Sequence, residues 1–332
     1  MSRRGHAAYD VVGLDEFRAR FDCDVAGIPS NLALVGHSAA TGRWSVHVDE
    51  SELVDGRLVP FLDFWHRHLH RLVDGRTFWF LYCHWDGWRE GTAYSSDYRW
   101  IDVPAGIGDL REWKGRPGDT PRFSTTHPWV LCFSAHAGDP TAVLFPDAHY
   151  LYWRYYRSFR TRQFFGRPTR VKRRRAVYAG GDHGPPWNLE EGAPSARRLL
   201  LETVQRERLN VDVFLSTPVT RRQQVAYRYL IDVEGWVHTW DAWAWKLAST
   251  SLLLAVDTVW ESYFSRLFEP WQHFVPVAAD LSDLGERLAW CDAHDAECRA
   301  IVGRARRRVA RVYNPKWVAR DLTEQLRARL DG

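Results

Sequence analysis

Asp86 closes the apolar run FWFLYCHWDG, Glu90 follows it within the same loop-like stretch, and Asp147 ends AVLFPD. Carboxylates delivered by the ends of apolar runs can take a proton from a hydroxyl in a cleft. An Asp-Gly pair is equally an ordinary turn signal. The second half offers groups of the opposite kind. Gly180-Gly181 ends RAVYAGG, Arg197 and Arg198 open RRLLLETV, Gly235 ends YRYLIDVEG, and Lys246 lies in TWDAWAWKLAS. Glycines let backbone N–H groups approach a phosphate. A helix start adds unpaired N–H donors, and an arginine fork grips phosphate in bidentate fashion. Proton-accepting groups thus gather in the first half and anion-binding groups in the second. A plain turn and a solvated helix arginine are the competing readings.

The elements that must position these groups follow from periodicity. RLVPFLDFWHRHLHRLV (57–73) has a helix pattern ending at Asp74-Gly75. RTFWFLYCHW, PWVLCFSA and AVLFPD read as buried strands. After residue 166 the pattern alternates: strand RAVYAGG, helix SARRLLLETVQRERL, strand NVDVFLS, strand YRYLIDVEG, helix TWDAWAWKLAS, strand SLLLAV, helix WESYFSRLF, strand HFVPV and helix DLGERLAWCDAHD. Such alternation predicts α/β architecture with parallel sheets, and ligands beyond the carboxyl ends of the strands. Thr239 is the expected N-cap of the tryptophan-rich helix, with Asp241 in its first turn. Trp240, Trp243, Ala244, Leu247 and Ala248 fall at i, i+3, i+4, i+7 and i+8, one buried face. Trp236 and Trp245 lie off that stripe and are left for stacking on a ring.

Composition narrows the class. The 332 residues suit two domains, and 45 basic against 41 acidic residues, a net +4, give no footprint of a nucleic-acid binder. No apolar run reaches membrane-span length, and MSRRGHAAYDVVGLDEF lacks the apolar core of a signal peptide. Cys23, Cys83, Cys132, Cys291 and Cys298 are scattered without a CxxC pair, as expected of free thiols in a reducing cytoplasm. In HRHLH, His66 and His70 share a helical face and His68 does not, so no metal site is expected. YLYWRYYRSFRTRQFFGR interleaves rings with arginines. It reads as packing with snorkelling arginines, or as a peripheral contact with a membrane or an acceptor.

The order YRYLI, a glycine, a Thr-Trp helix start, KLASTSLLL, PWQHFVPV and DLSDL resembles the C-terminal domain of family 90 glycosyltransferases over about 100 residues. That family includes protein O-glucosyltransferases, capsule xylosyltransferases and bacterial lipopolysaccharide-modifying enzymes, and the chain resembles the bacterial type. The resemblance implies a GT-B fold, two facing Rossmann-like doubly wound domains with the active site in the cleft between them. The expected division is 1–165 on the acceptor side, 166–312 for the nucleotide sugar, and 313–332 as a C-terminal helix packing back on the first domain. It implies a metal-independent, inverting transfer of glucose or xylose from a UDP-sugar to a glycan, lipid-linked saccharide or specialised metabolite. No cofactor, metal or nucleic-acid partner is expected, and the place is the cytoplasm or the inner membrane face.

On this resemblance Asp86 is the base, with Trp85, Glu90 and Asp147 on the acceptor side. Gly180, Gly181, Arg197, Tyr227, Gly235, His238, Thr239, Trp240, Lys246, Ser251 and Glu261 hold the nucleotide sugar. Three departures stand out. Ala179 replaces an arginine, Asp241-Ala242 occupies the place of another arginine, and Thr250 replaces a glycine. These favour the alternative reading, a catalytically impaired descendant that binds a glycan or a partner.

Overall fold

The computed structural model describes residues 9–25, 32–48, 54–73, 75–83, 92–94, 100–102, 130–140, 142–152, 154–160, 172–184, 187, 192–235 and 241–330. The chain forms two compact units, Met1–Tyr152 with Pro315–Gly332, and Trp153–Asn314.

The first unit carries β1 (Tyr9–Val11), α1 (Leu14–Phe21), β2 (Leu32–Ser38), β3 (Arg43–His47), α2 (Val54–His68), α3 (His70–Val73) and β4 (Phe78–Cys83). After these come the antiparallel pair β5 (Thr92–Tyr94) and β6 (Trp100–Asp102), then β7 (Val130–Cys132), β8 (Ser134–His136), β9 (Ala142–Leu144) and α4 (Ala148–Tyr152). Its six-stranded sheet has the order β1-β3-β2-β4-β7-β9. Every neighbouring pair is parallel except those of β2, which runs against both β3 and β4. The sheet is therefore mixed rather than uniformly parallel. Only four residues join β2 to β3, too few for the crossover that a parallel pair requires.

Aromatic rings fill the core of this unit. Trp65 stacks on Phe80 at 5.2 Å, and Phe61 packs on Tyr82 and Phe145. Buried Val318, Leu322 and Leu326, spaced i, i+4 and i+8, line one face of the C-terminal helix Pro315–Leu330, which packs against α2. The helix expected over 57–73 divides at Leu69, so His66 and His70 do not share one continuous helix. Among the described residues no group of three His, Cys, Asp or Glu side chains is arranged to hold a metal ion. None of the described helices is long and apolar enough to cross a membrane.

The second unit carries α5 (Arg157–Arg160), β10 (Arg173–Gly180), α6 (Ala196–Glu207), β11 (Val211–Leu215), α7 (Arg221–Gln224), β12 (Tyr227–Asp232), α8 (Ala242–Ala248) and β13 (Leu252–Val256). β14 (Trp260–Ser262), β15 (Val275–Val277), α9 (Leu284–Ala293) and α10 (Asp295–Val312) complete it. Its five-stranded sheet runs β11-β10-β12-β13-β15, and all four pairings are parallel. β12 is buried at all six positions, as a central parallel strand covered on both faces must be. Tyr178, Leu200, Tyr229, Ile231, Leu254 and Ile301 belong to one continuous core.

Two local expectations are corrected here. WESYFSRLF is a strand, Trp260–Ser262, followed by a single 3-10 turn, Ser265–Leu267. The hydroxyls of Ser262 and Ser265 each accept the other's backbone N–H, closing a turn that competes with a helix. Helix α8 starts at Ala242, with Asp241 rather than Thr239 in the cap position. The Asp241 carboxylate caps no N–H and instead pairs with Arg221. All residues from Trp243 to Ala248 are buried, so Trp245 is a core residue and not a free stacking surface. The Arg221 guanidinium lies 5.7 Å from the Trp245 ring and 5.3 Å from that of Phe159.

Candidate functional site

In order of appearance the strands of the second sheet read 2-1-3-4-5, so connections leave β10 and β12 in opposite directions. That divergence opens a crevice at the carboxyl ends of these two strands, where ligands of open parallel sheets bind. Two glycine-containing loops rim it, Gly181–Gly184 after β10 and Val233–Gly235 after β12. A Cβ added at Gly184 would lie 3.1 Å from the Gly235 carbonyl oxygen, so the loops touch through bare backbone.

Arg197 bridges the two loops. It enters from the first turn of α6, whose N-cap Ser195 accepts the Arg198 N–H at 3.2 Å. Its Nε donates to the Glu234 carbonyl at 3.0 Å and its Nη1 to the Gly181 carbonyl at 3.0 Å. The His183 ring nitrogens lie 3.5 Å from Nη1. Nη2 meets no acceptor among the described residues, and a Cβ at Gly235 would come within 2.8 Å of it. Glycine at 235 therefore keeps that side of the guanidinium open. Arg198 pairs instead with Asp182, which itself donates its backbone N–H to Ser216 Oγ at 3.0 Å.

Beneath the crevice lies a buried polar layer. Gly180 passes directly over Tyr178, whose hydroxyl occupies the space that a Cβ at 180 would need. Burial pushes the Tyr178 phenol well above its ordinary range, with Arg197 pulling against that shift and Asp232 adding to it. The hydroxyl therefore stays protonated. Asp232, the last residue of β12, is buried and paired with Lys246. The Lys246 ammonium also donates to the Ile231 carbonyl at 3.1 Å and lies 5.9 Å from the Tyr178 ring. Lys246, expected as a cation for the nucleotide sugar, is thus a buried partner of Asp232.

The structure brings together Gly180, Gly181, Arg197 and Gly235, with Lys246 below them. Tyr227 and Ser251 lie at the opposite, amino end of the sheet. The Tyr227 hydroxyl donates to Asp212 at 2.7 Å and accepts from Arg173 at 3.0 Å. Ser251 Oγ donates to the Tyr227 carbonyl at 2.7 Å and accepts from Lys172 Nζ at 2.6 Å. Both are committed to joining strand starts, so their placement beside a nucleotide is corrected. Thr250 sits at that end too, which removes one of the three departures from the crevice. Glu261 is half-buried on β14. Asp147, in the first unit, is buried and accepts the Tyr150 N–H at 2.9 Å, an N-terminal bond of α4. Trp85, Asp86, Glu90, Trp236, His238, Thr239 and Trp240 lie outside the described residues.

Sequence reading missed Asp232 and His183, and it placed Tyr178 only as the aromatic ahead of Ala179 and the glycine pair, with no site role. Asp232 left a trace, a carboxylate closing the otherwise apolar YRYLID. The resemblance marks Tyr178 as an aromatic position, but its place under Gly180 is visible only in the structure.

Comparisons with known proteins bear on this same unit. Residues 203–319 match the family model for Glycosyl transferase family 90. The uncharacterized protein 035R of Invertebrate iridescent virus 3 is 31% identical over 157 residues, 40% of this chain and 14% of that protein. Protein O-glucosyltransferase 2 of Danio rerio is 35% identical over 75 residues, 23% of this chain and 15% of that protein. Protein O-glucosyltransferase 3 of Homo sapiens is 33% identical over 75 residues, with the same 23% and 15% coverage. The chain thus spans about one seventh of the length of these relatives. Among solved structures, TarM aligns with 50% of this chain at 11% identity and a TM-score of 0.32, a level from which no fold follows. The family match lies mostly within the second unit. It takes in β11 to α10, whereas Gly180, Gly181 and Arg197 precede it.

Proposed function

We propose that the second unit binds the diphosphate of a nucleotide sugar in the crevice between the carboxyl ends of β10 and β12, and that the protein transfers the sugar to a hydroxyl. The observation carrying this reading is Arg197, held by two loop carbonyls at the switch point with Nη2 facing no described acceptor. A guanidinium fixed in this way can meet a diphosphate without reorganising. The N–H groups of the glycine loops supply further donors.

The finer reading is a UDP-sugar donor carrying glucose or xylose, inversion at the anomeric carbon, and no metal. Arg197 and backbone N–H groups then stabilise the departing diphosphate. Asp86 takes the proton of the acceptor hydroxyl as the new bond forms, with Trp85, Glu90 and Asp147 on the acceptor side. The acceptor is a glycan, a lipid-linked saccharide or a specialised metabolite. The proposed place is the cytoplasm, with peripheral membrane contact if the acceptor is lipid-linked.

A thermal-shift panel of UDP, GDP, ADP, CDP and dTDP, each with Mg²⁺ or EDTA, tests the donor site through mass-action stabilisation. A UDP-confined shift that is insensitive to EDTA and lost in Arg197→Ala supports the proposal. No shift with any nucleotide sinks it. Asp86→Asn then abolishes turnover while leaving the UDP shift intact. The second reading is a non-catalytic binder, favoured by the engagement of Lys246 with Asp232 and by Ala179 in place of an arginine. It expects the UDP shift without hydrolysis or transfer.

A further inference from the structure

Helices α9 and α10 meet at His294, and a cysteine stands on each side of the join, Cys291 and Cys298. Residues seven apart on one continuous helix are separated by about 10 Å along its axis, beyond the span of a disulfide. The chain leaves the helical path at His294, with φ −116° and ψ 55°. That break brings the Cys298 Sγ to 3.4 Å from the Cys291 carbonyl oxygen. It also brings the two thiols within hydrogen-bond reach of each other.

Both thiols are buried, and burial alone leaves a thiol inert. Cys298, however, lines a cavity of about 230 Å³ that lies against the starts of β12 and β13. Asp295 and Arg299 form part of the wall with side chains 38% and 56% exposed, so the cavity opens to solvent. A water molecule takes about 30 Å³, so a space of this volume admits a small hydroperoxide. The charged groups around it are engaged with one another. Arg228 and Arg299 pair with Asp295, and Asp292 accepts the Tyr229 hydroxyl at 2.7 Å. What separates the two thiols is the hydrogen bond between them. That bond, together with burial, holds the Cys291 thiol well above its ordinary range. The same bond holds Cys298 below its own, with Arg228 assisting and burial, Glu297 and Asp292 opposing. Cys298, the thiol at the cavity wall, is therefore the nucleophile of the pair.

We propose that Cys291 and Cys298 form a redox modification site, which a hydroperoxide oxidises reversibly to a disulfide across the join of α9 and α10. The Cys298 thiolate attacks one peroxide oxygen. The O–O bond breaks, Cys298 becomes a sulfenic acid, and hydroxide leaves to take up the proton that Cys298 lost. The Cys291 sulfur then attacks the Cys298 sulfur, so that S–S forms as S–O breaks. The oxygen departs as water with the Cys291 proton. The two thiols thus give up two electrons, and hydrogen peroxide leaves as two water molecules. A thiol reductant reverses the change by exchange at the disulfide. Transient pairs of this kind are the form disulfides take where thiol reductants prevail.

The test incubates the full reduced chain with hydrogen peroxide, blocks the remaining thiols with iodoacetamide and reads tryptic peptides by mass spectrometry. Cleavage after Arg287 and Arg299 releases one peptide, Leu288–Arg299, that carries both cysteines. The expected product is this peptide, unalkylated and lighter by two hydrogen atoms. It should form about tenfold or more faster than any oxidation of Cys23, Cys83 or Cys132, which fall on other peptides. Dithiothreitol added before alkylation should restore both alkyl groups. In Cys291→Ala the sulfenic acid has no partner, so dimedone should label Cys298. In Cys298→Ala dimedone should label Cys291 about tenfold or more slowly. Each variant is first shown to be folded by circular dichroism, and the wild-type peptide reports without any substitution. Uptake of two alkyl groups by the peroxide-treated wild type overturns the proposal. So does a disulfide that forms only in urea, or oxidation of all five cysteines at one rate.

Discussion

Replacing Lys246 with methionine separates two roles for that residue, a ligand for the diphosphate and a lock within the fold. The Lys246 side chain is 5% exposed and that of Asp232 is 10% exposed, so the pair is nearly dry. Methionine keeps the length and removes the charge, leaving the Asp232 carboxylate buried without its cation. Breaking one side of such a pair costs about 3–5 kcal/mol, far more than a surface ion pair is worth. For a unit of this size each kcal/mol lowers the melting temperature by about 2–4 °C, so the expected fall is roughly 6–20 °C. Unfolding followed by tryptophan fluorescence reads this directly, because Trp243 and Trp245 sit on the same helix as Lys246 and are buried. The double variant Lys246→Met, Asp232→Leu removes both charges and should recover most of the loss, since an apolar replacement of a buried pair is often neutral. A fall in stability below about 1 kcal/mol, with loss of the UDP-induced shift, would refute the lock and restore Lys246 as a ligand.

Other consequences follow from the same geometry. Gly180→Ala forces a methyl group onto the Tyr178 hydroxyl, so it should destabilise the unit by about 1–3 kcal/mol in a urea titration and weaken nucleotide binding. Arg197→Lys keeps the charge but cannot hold both loop carbonyls, so calorimetry should show UDP affinity reduced by about tenfold or more. Burial holds the His273 imidazole below its ordinary 6.5, and Nδ1 accepts the Glu269 N–H at 3.0 Å. Its stabilising contribution is complete above pH 6.5 and is lost as pH falls through the lowered folded value. Melting temperature should therefore decline on the acid side of pH 6.5, and His273→Asn, which retains an acceptor, should flatten that part of the profile.

The sequence alone determined the parallel core of the second unit. YRYLID, SLLLAV and RAVYAGG are short apolar runs closed by turn residues, and the amphipathic stretch ARRLLLETVQRE lies between two of the strands. Local propensity and burial agree there, so the pattern is legible without coordinates. The glycines at 180, 181 and 235 were legible for the same reason, since each closes a strand.

Tertiary structure decided what lies at which end of the sheet. Tyr227 and Ser251 belong to the same stretches as Gly235 and Lys246, and a linear reading groups them. Yet each parallel strand carries the chain from one end of the sheet to the other, so the first and last residues of YRYLID face different surroundings. The fate of Lys246 was decided in the same way. A lysine on a tryptophan-rich helix reads as a cation in search of an anion. Only the packing of α8 against β12 shows that Asp232, fourteen residues earlier, already supplies one. The hairpin β2–β3 turns on a third effect: four residues leave no room for a crossover, so chain geometry makes the first sheet mixed where the resemblance implies a doubly wound domain. Periodicity reports which faces are buried, whereas the ends of strands, where chemistry is done, are fixed by topology.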